Sequence, residues 1–457
     1  MIETLSDYYR VPESVLGRIF GPEPSGEAGY FRFGPRAICF GQSTSGVAAN
    51  VGDAELYDAR KSVRMDGADV YLPFDFTQII ENLRRERYVP NLTPGREKLI
   101  TREWMLKTYY FVRESLPDSV RRRMQRVYFS DWNARPFPAW PVDFTVDNLH
   151  EEILRLSMEG SRAERVPFIW YWPDGAPNCL ILTHDVETSA GRDFAPQLMD
   201  LDDSYGLKAS FQVIPEKRYD VPGEFVQQIR NRGFEFNIHD LNHDGRLYRQ
   251  REEFLRRAKK INRYAQRYSA RGFRAGSMYR MLDWYDEYQF SYDMSLTNVA
   301  HLEPKRGGCC TVFPFFLGNI LELPLTTSQD YSIFHILNDY SIDLWKKQLE
   351  LIRQRNGLMT FLTHPDYLIN HRARKVYESL LSHLRETIDR EKIWTALPGE
   401  VDRWWRIRSK LKLVQKGSGW EIEGSGKERA RIAHAVQQGN RLVYEVVGAP
   451  AHEGARL

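Results

Sequence analysis

Two acidic side chains stand at the end of a strongly apolar stretch near the middle of the chain. Asp185 and Glu187 close the run that begins at 179, whose aliphatic residues and preceding turn residues are typical of a strand covered on both faces. Side chains two positions apart on a strand share a face, so we expect the two carboxylates to point the same way. An isolated pair with this spacing is more often an ordinary acidic junction between a strand and a loop.

Two histidines stand at the end of another predicted strand. His239 and His243 follow the alternating apolar residues of 234–238, and on one helical turn their imidazoles would lie side by side. The chain has 11 histidines, so this spacing alone is weak evidence of a site. The position of the pair at a strand end strengthens this evidence, because β/α barrels gather catalytic residues at the C-terminal ends of several strands.

Arg274 and His364 stand at two further predicted strand ends. Each has an ordinary alternative, a surface ion pair for Arg274 and a helix-capping role for His364. Taken together, the four strand ends supply two imidazoles and a carboxylate, the ligand set of a catalytic divalent metal, for which zinc is the commonest occupant. The remaining carboxylate, histidine and guanidinium can accept a proton from water, protonate a leaving group and orient the base. Together, a metal ligand set, a base and an acid predict a reaction in which an acyl group is transferred to water.

The elements that must position these residues alternate between short apolar runs and helical periods. Strands are predicted at 179–184, 209–214, 234–239, 272–275, 291–296, 320–323, 358–363 and 393–397. Helices separate most of them, for example over 252–268, where apolar residues recur on one face. This rhythm predicts an α/β fold whose parallel strands form a (β/α) barrel of seven or eight strands.

Smaller regions flank the predicted barrel. The predicted division is an N-terminal α+β accessory domain, a connector, the barrel and a small C-terminal β-containing appendage, at 1–150, 151–178, 179–400 and 401–457. In the first region, 30–40 alternates like two strands around a Gly-Pro turn, 69–85 resembles a strand leading into a helix, and 100–126 has the spacing of amphipathic helices. Glycine and serine bracket a short strand within 417–426.

The composition excludes several classes of partner. Hydrophobic content of 42% and charged content of 27% are those of an ordinary globular protein, and 64 basic against 61 acidic residues give no argument for a nucleic-acid partner. No apolar stretch is long enough to span a membrane or resembles a secretory signal, so we expect a cytoplasmic protein. Cysteines without Cys-x-x-Cys spacing are expected to be structural thiols: Cys39, Cys179, Cys309 and Cys310.

In this order, the motifs resemble those of the polysaccharide deacetylase superfamily, carbohydrate esterase family four, over about 178–400. The motifs that carry the likeness are Thr183-His-Asp-Val-Glu187, His239-x-x-x-His243, Arg274-Ala-Gly-Ser277 and Phe361-Leu-Thr-His364. The family's first motif usually reads T-F-D-D, although some members space the two acids as D-x-D. Here Val186 replaces the adjacent aspartate, and Ser277 replaces the aromatic residue of the usual R-P-P-Y.

The resemblance implies an irregular (β/α) barrel and a role for each site residue. It assigns Asp185 as the base, His364 as the general acid, Arg274 as the group that orients Asp185, and Glu187, His239 and His243 as ligands of a divalent metal. Zinc is the expected metal, with cobalt or nickel as alternatives. For the aspartate that supports the general acid, Asp293 and Asp330 are both candidates. The backbone N–H of Ser277 is a candidate oxyanion donor.

The sequence therefore predicts a divalent-metal-dependent amide hydrolase that removes N-acetyl from an amino sugar in a polysaccharide or its precursor. Two alternatives remain open: hydrolysis of another C–N bond in a small metabolite, and a non-catalytic sugar-binding scaffold with a degenerate site, prompted by Val186 and Ser277. In each case the partner is a carbohydrate or a small amide. His184 is predicted to face away from the site, because side chains alternate along a strand.

Overall fold

The computed structural model describes residues 2–23, 26–52, 55–89, 124, 126–130, 132–439 and 441–448. The helices predicted over 100–126 lie outside these residues, apart from positions 124 and 126. The α-helices are α1 (Ile2–Tyr9), α2 (Phe76–Arg84), α3 (Thr145–Ser161), α4 (Ser189–Ser204), α5 (Gly223–Asn231), α6 (Arg251–Arg267), α7 (Asp343–Arg353), α8 (Pro365–Leu368), α9 (His371–Glu391) and α10 (Pro398–Arg408).

The strands fall into one large sheet and several small ones. They are β1 (Ile19–Phe20), β2 (Gly29–Arg32), β3 (Ile38–Gly41), β4 (Arg64–Asp66), β5 (Asp69–Tyr71), β6 (Arg165–Ile169), β7 (Cys179–Val186), β8 (Ala209–Val213), β9 (Glu235–His239), β10 (Gly272–Arg274), β11 (Tyr292–Asp293), β12 (Phe315–Leu317), β13 (Ile320–Glu322), β14 (Leu358–Thr363), β15 (Trp394–Thr395), β16 (Lys412–Lys416), β17 (Gly419–Glu423), β18 (Ile432–Gln438) and β19 (Arg441–Val446).

The large sheet is a curled, mostly parallel sheet, as the β-α rhythm predicted. Its strands run in the order β12-β13-β11-β10-β9-β8-β7-β14, and β15 also pairs with β7. Only β12 is antiparallel to its neighbour, β13. Every residue of β7 is buried, because sheet neighbours flank it and both of its faces are covered. The prediction of an α/β fold built on a curled sheet of parallel strands is confirmed.

The curled sheet is joined between β13 and β14 by threonine side chains. Thr326 Oγ1 donates to the carbonyl of Leu358 at 2.8 Å and accepts from the N–H of Thr360 at 2.9 Å. Thr327 Oγ1 donates to the carbonyl of Thr360 at 2.8 Å. Both threonines follow β13, so side-chain hydrogen bonds take the place of a strand ladder at this seam. This feature makes the barrel irregular.

The N-terminal and C-terminal regions have their own small sheets. The hairpin β2-β3 and the step from β5 to α2 confirm the two patterns predicted in 30–40 and 69–85. The predicted boundary at 150 falls inside α3, and β6, from the predicted connector, pairs with β18 of the C-terminal region. No helix of the described ranges is long and apolar enough to cross a membrane. All four cysteines are buried and free.

Candidate active site

The six predicted site residues lie at the C-terminal ends of four strands within a run of five adjacent strands of the sheet. They are Asp185 and Glu187 at the end of β7, His239 and His243 at and after the end of β9, Arg274 at the end of β10, and His364 directly after β14. The order β10-β9-β8-β7-β14 and the parallel pairing place these ends along one edge, which is where barrel enzymes build their sites.

Glu187, His239 and His243 form a compact cluster of ligand atoms. One ligand atom from each side chain lies within 4.8 Å of the others. His243 Nε2 is 3.0 Å from Glu187 Oε1, yet this contact lacks hydrogen-bond geometry. Both Nε2 atoms are buried and have no hydrogen-bond partner among the described residues. A buried polar atom without a partner is unfavourable, so the cluster fits a divalent cation at its centre.

The backbone of β10 sets the orientation of His239. Its Nδ1 lies 3.1 Å from the carbonyl oxygen of Arg274, which can only accept, so Nδ1 carries the proton and Nε2 presents its lone pair to the cluster. Burial lowers the pKa of His239 to about 4, against the opposing effect of Asp185. The ring is therefore neutral at pH 7, as a metal ligand must be.

The segment that carries the two histidines is not the helical turn expected from their spacing. The backbone of Asp240 and of His243 is left-handed, with φ of 56° and 52°. Asp240 Oδ1 accepts from the N–H of Leu241 at 2.6 Å, a local bond that lets a short acidic side chain tolerate this conformation. The imidazoles still converge, with ring centroids 4.9 Å apart.

The pKa values of His243 and Glu187 are shifted in opposite directions by their contact. Burial opposes protonation of His243, but the neighbouring carboxylate of Glu187 outweighs it and raises the pKa of the ring. Burial likewise opposes ionisation of Glu187, yet His243 and the other histidines keep the pKa of this carboxyl well below its ordinary value. The negative charge of Glu187, which raises the pKa of His243, would likewise favour a metal cation beside the ring.

Asp185 is held ionised beside this cluster. Its Oδ1 accepts from Arg274 Nη1 at 2.8 Å, and its Oδ2 lies 3.6 Å from His239 Nε2. Arg274 is itself fixed by bonds to the carbonyl of Met294 and the hydroxyl of Thr183, at 3.0 and 2.9 Å. Burial opposes ionisation of Asp185, but the positive charge of Arg274 prevails and lowers the pKa of the carboxyl. The side chain can therefore accept a proton at neutral pH.

His364 is held protonated beside the same cluster. Its Nδ1 donates to Asp330 Oδ1 at 2.6 Å, while its Nε2 lies 3.9 Å from Glu187 Oε1. Burial opposes protonation, but Asp330 raises the pKa of His364 to about 10. Of the two candidate supporting residues, the structure therefore places Asp330 against His364. Asp293 instead accepts from the N–H and hydroxyl of Ser295.

His184 faces away from the site, as the alternation along β7 predicted. Its Nε2 lies 3.0 Å from Asp202 Oδ2 and its Nδ1 2.9 Å from Thr363 Oγ1. The hydroxyl of Tyr377 donates to the other oxygen of Asp202. These bonds tie β7 to β14 and to α4 and α9, so His184 has a structural role.

Asp366 fixes the end of β7, and the motifs did not identify it. It accepts from the backbone N–H of Glu187 at 3.1 Å and from the hydroxyl of Thr188. A Cβ at Gly191 would lie 2.3 Å from Asp366 Oδ2, so a larger residue there would displace this carboxylate. The only sequence signal is its place two residues after His364, which without a structure does not distinguish a supporting residue from a helix-starting aspartate.

Comparisons with known proteins find similarity in solved structures. No protein-family model and no curated protein matches the chain. A Mycobacterium smegmatis protein with a provisional polysaccharide deacetylase name matches at 16% identity and a TM-score of 0.43, covering 55% of this chain and 98% of that one. Puue allantoinase matches at 10% identity and a TM-score of 0.42, and the match covers 52% of this chain and 92% of that one. The peptidoglycan deacetylase PdaC of Bacillus subtilis matches at 13% identity and a TM-score of 0.35, and the match covers 52% of this chain and 95% of that one.

Two of the three proteins carry a deacetylase name, and each match covers about half of this chain, 52 to 55%. With TM-scores below 0.5, such similarities do not assign an activity. The residues of the site have to supply the evidence for function.

Proposed function

We propose that this protein is a divalent-metal-dependent amide hydrolase that removes N-acetyl from an amino sugar in a polysaccharide or its precursor. The observation that carries the proposal is that a base and an acid each lie beside the ligand cluster. Asp185 Oδ2 lies 3.6 Å from His239 Nε2, and His364 Nε2 lies 3.9 Å from Glu187 Oε1. A scissile amide beside the cluster would have both a proton acceptor and a proton donor within reach.

Glu187, His239 and His243 are the residues that would hold the metal. One carboxylate and two imidazoles leave coordination positions free for water and substrate, and this set suits zinc first, with cobalt or nickel as alternatives. When bound, such a metal polarises an amide carbonyl and lowers the pKa of water to about 7.

Asp185 acts as the general base. Its carboxylate accepts a proton from the water that attacks the amide carbon, and a C–O bond forms. Arg274 keeps this carboxylate ionised and oriented through the 2.8 Å bond to Oδ1, which leaves Oδ2 directed at the cluster. Because Arg274 is bound through its side chain to β7 and to the backbone after β11, the base cannot swing away from the water.

His364 acts as the general acid. An amide nitrogen is a poor leaving group until it is protonated, so the reaction needs a donor on the side of the departing amine. The imidazolium of His364 donates from Nε2 while Asp330 holds Nδ1–H. The C–N bond breaks, and the products are acetate and a free amine.

The departures from the family motifs leave this machinery intact. Val186 is buried on the face of β7 opposite Asp185, so it removes no group from the cluster. Ser277 retains the backbone N–H that an oxyanion donor needs. These positions favour catalysis over the alternative of a non-catalytic scaffold.

The test is an acetate-release screen over N-acetylated oligosaccharides and nucleotide sugars, with zinc, cobalt or nickel supplied in turn. Metal-dependent acetate release that is lost in Asp185→Asn supports the proposal. Hydrolysis of a C–N bond in a small metabolite, with no acetate released from any N-acetylated sugar, would favour the alternative that the substrate is a small metabolite. If the protein binds none of the three metals under any loading condition, the hydrolase proposal fails.

A further inference from the structure

The segment that follows β10, residues 275–281, packs against the segment that carries His243 and against β14, which ends just before His364, and we name it the β10 loop. At one end, a Cβ placed on Gly276 would lie 2.8 Å from His243 Cδ2 and 2.6 Å from Asp240 Oδ2, so the backbone there is packed against the ligand segment. Further along, the buried side chain of Met278 packs with Leu325 and Leu362, and Leu362 is two residues before the general acid.

The β10 loop has a backbone conformation that its residues do not favour. Ser277 and Met278 are consecutive non-glycine residues in the left-handed region, with φ of 54° and 53°. L-amino acids avoid this region because the Cβ crowds the following carbonyl, so such residues persist only where surrounding contacts hold them. The loop therefore needs an anchor.

Arg280 supplies the anchor within the loop. Its Nη1 donates to the carbonyl of Met278 at 2.6 Å, which closes the strained turn. Its Nε donates to Glu86 Oε2 at 2.9 Å, and its Nη2 donates to Glu86 Oε1. The two side chains are 0% and 2% exposed, so the forked pair is shielded from water.

Glu86 comes from the N-terminal region, just after α2. Its Oε1 also accepts from the backbone N–H of Gly308 at 2.7 Å. Lys305 donates to the carbonyl of Arg280 at 2.6 Å and lies 3.6 Å from Glu86 Oε2. Both partners are thus held from several directions, and removing the charge of Glu86 would leave the buried guanidinium of Arg280 without its hydrogen-bonded carboxylate.

We propose that Glu86 and Arg280 are positioning residues for the hydrolase reaction, which hold the β10 loop against His243 and beside His364. The N-terminal region, expected from the sequence to be an accessory domain, thereby completes the active site. Ser277 is half-buried and lies between the buried Gly276 and Met278 of this loop. The effect on turnover rests on the proposed function, but the effect on the loop does not.

The experiment compares Glu86→Gln with the control Glu151→Gln in the full-length protein. Glu151 is also a largely buried acid, paired with Arg355 at 2.9 Å, but it does not contact the β10 loop. The measurements are hydrogen exchange of the amides of 276–281, kcat and KM for acetate release, and circular dichroism as a check of folding. We expect faster loop exchange and a fall in kcat of about 10²-fold for Glu86→Gln, and neither change in the control.

Milder variants keep the test valid if Glu86→Gln does not fold. Glu86→Asp retains the charge but cannot reach both guanidinium nitrogens, and Arg280→Lys retains the charge without the fork, so both should give smaller increases in exchange and smaller losses of kcat. Unchanged loop exchange in all folded variants overturns the proposal. So does unchanged kcat in a variant whose loop exchange has risen. Faster loop exchange in a protein that hydrolyses no amide upholds the loop anchor and rejects the hydrolase function instead.

Discussion

His364 and Asp330 are bound to each other twice. The imidazole donates from Nδ1 to Oδ1 at 2.6 Å, and the backbone N–H of the same histidine donates to Oδ2 at 2.7 Å. One carboxylate thus fixes both the backbone and the ring of His364. Because both oxygens are occupied, the ring cannot rotate without losing a charged hydrogen bond, and Nε2 stays directed toward Glu187.

Replacing Asp330 by Asn should move the alkaline limit of activity to lower pH. A general acid acts in its protonated form, which is present below its pKa and lost as the pH rises through it. Asp330 raises the pKa of His364 to about 10, so Asp330→Asn should bring this limit down toward the ordinary histidine value of about 6.5. The pH dependence of kcat measures the shift. Asp293→Asn is the matched control, and an unmoved alkaline limb in Asp330→Asn would contradict the assignment.

Replacing Asp185 by Asn should separate metal binding from turnover. The amide cannot accept a proton from water but leaves the three ligands in place, so bound metal should remain while kcat falls by about 10²- to 10⁴-fold. Elemental analysis and acetate release measure the two effects. Arg274 loses its charged partner, so a lower melting temperature is also expected. Persisting acetate release would show that another group is the base.

Replacing His239 by Ala should abolish stoichiometric metal binding. The variant removes one of two imidazoles of the cluster, whereas His371→Ala removes an exposed histidine of α9 and should have no effect. Added zinc should raise the melting temperature of the unmodified protein, since a ligand at 100 times its Kd contributes about 2.7 kcal/mol to stability. The same shift in His239→Ala would mean that zinc binds elsewhere.

Replacing Gly276 by Ala should weaken metal binding from outside the ligand set. The added methyl group would lie within 2.8 Å of the His243 ring and 2.6 Å of Asp240, so the ligand or the β10 loop must move. Gly223→Ala is the control, because a Cβ there meets no atom within 4 Å. Metal titration should give at least about tenfold weaker affinity for Gly276→Ala only, as expected for lost support of a ligand. Equal affinities for the two variants would exclude this packing.

The strand pattern was predictable because each parallel strand is a short apolar run between helical periods. The run 358–363 was predicted with its observed bounds, and 179–184 continues to 186 in the structure. The prediction at 291–296 was too long, because the strand ladder covers only Tyr292 and Asp293. Beyond these two residues the stretch keeps single backbone bonds, such as that from the N–H of Met294 to the carbonyl of Phe273 at 3.0 Å, and a side-chain bond in which Glu322 accepts from the N–H of Leu296.

Other features had no local signal. The backbone N–H of Asp240 donates to the carbonyl of Arg274 in β10 at 2.9 Å, and the spacing of the histidines could not reveal this contact or the left-handed residues beside it. The threonine seam joins residues about thirty positions apart, from 326 to 360. The pairing of β6 with β18 crosses the predicted domain boundaries, since it depends on how two distant regions meet.

By itself, the sequence determined the α/β architecture and the side chains that stand at the ends of its strands, because burial on a parallel sheet imposes a local apolar pattern. Only the tertiary structure decided which partners fix those side chains. Asp330 bonds to His364 across 34 positions, and Glu86 bonds to Arg280 across 194. Such pairs form where loops from separate elements meet, and no periodicity along the chain records that meeting.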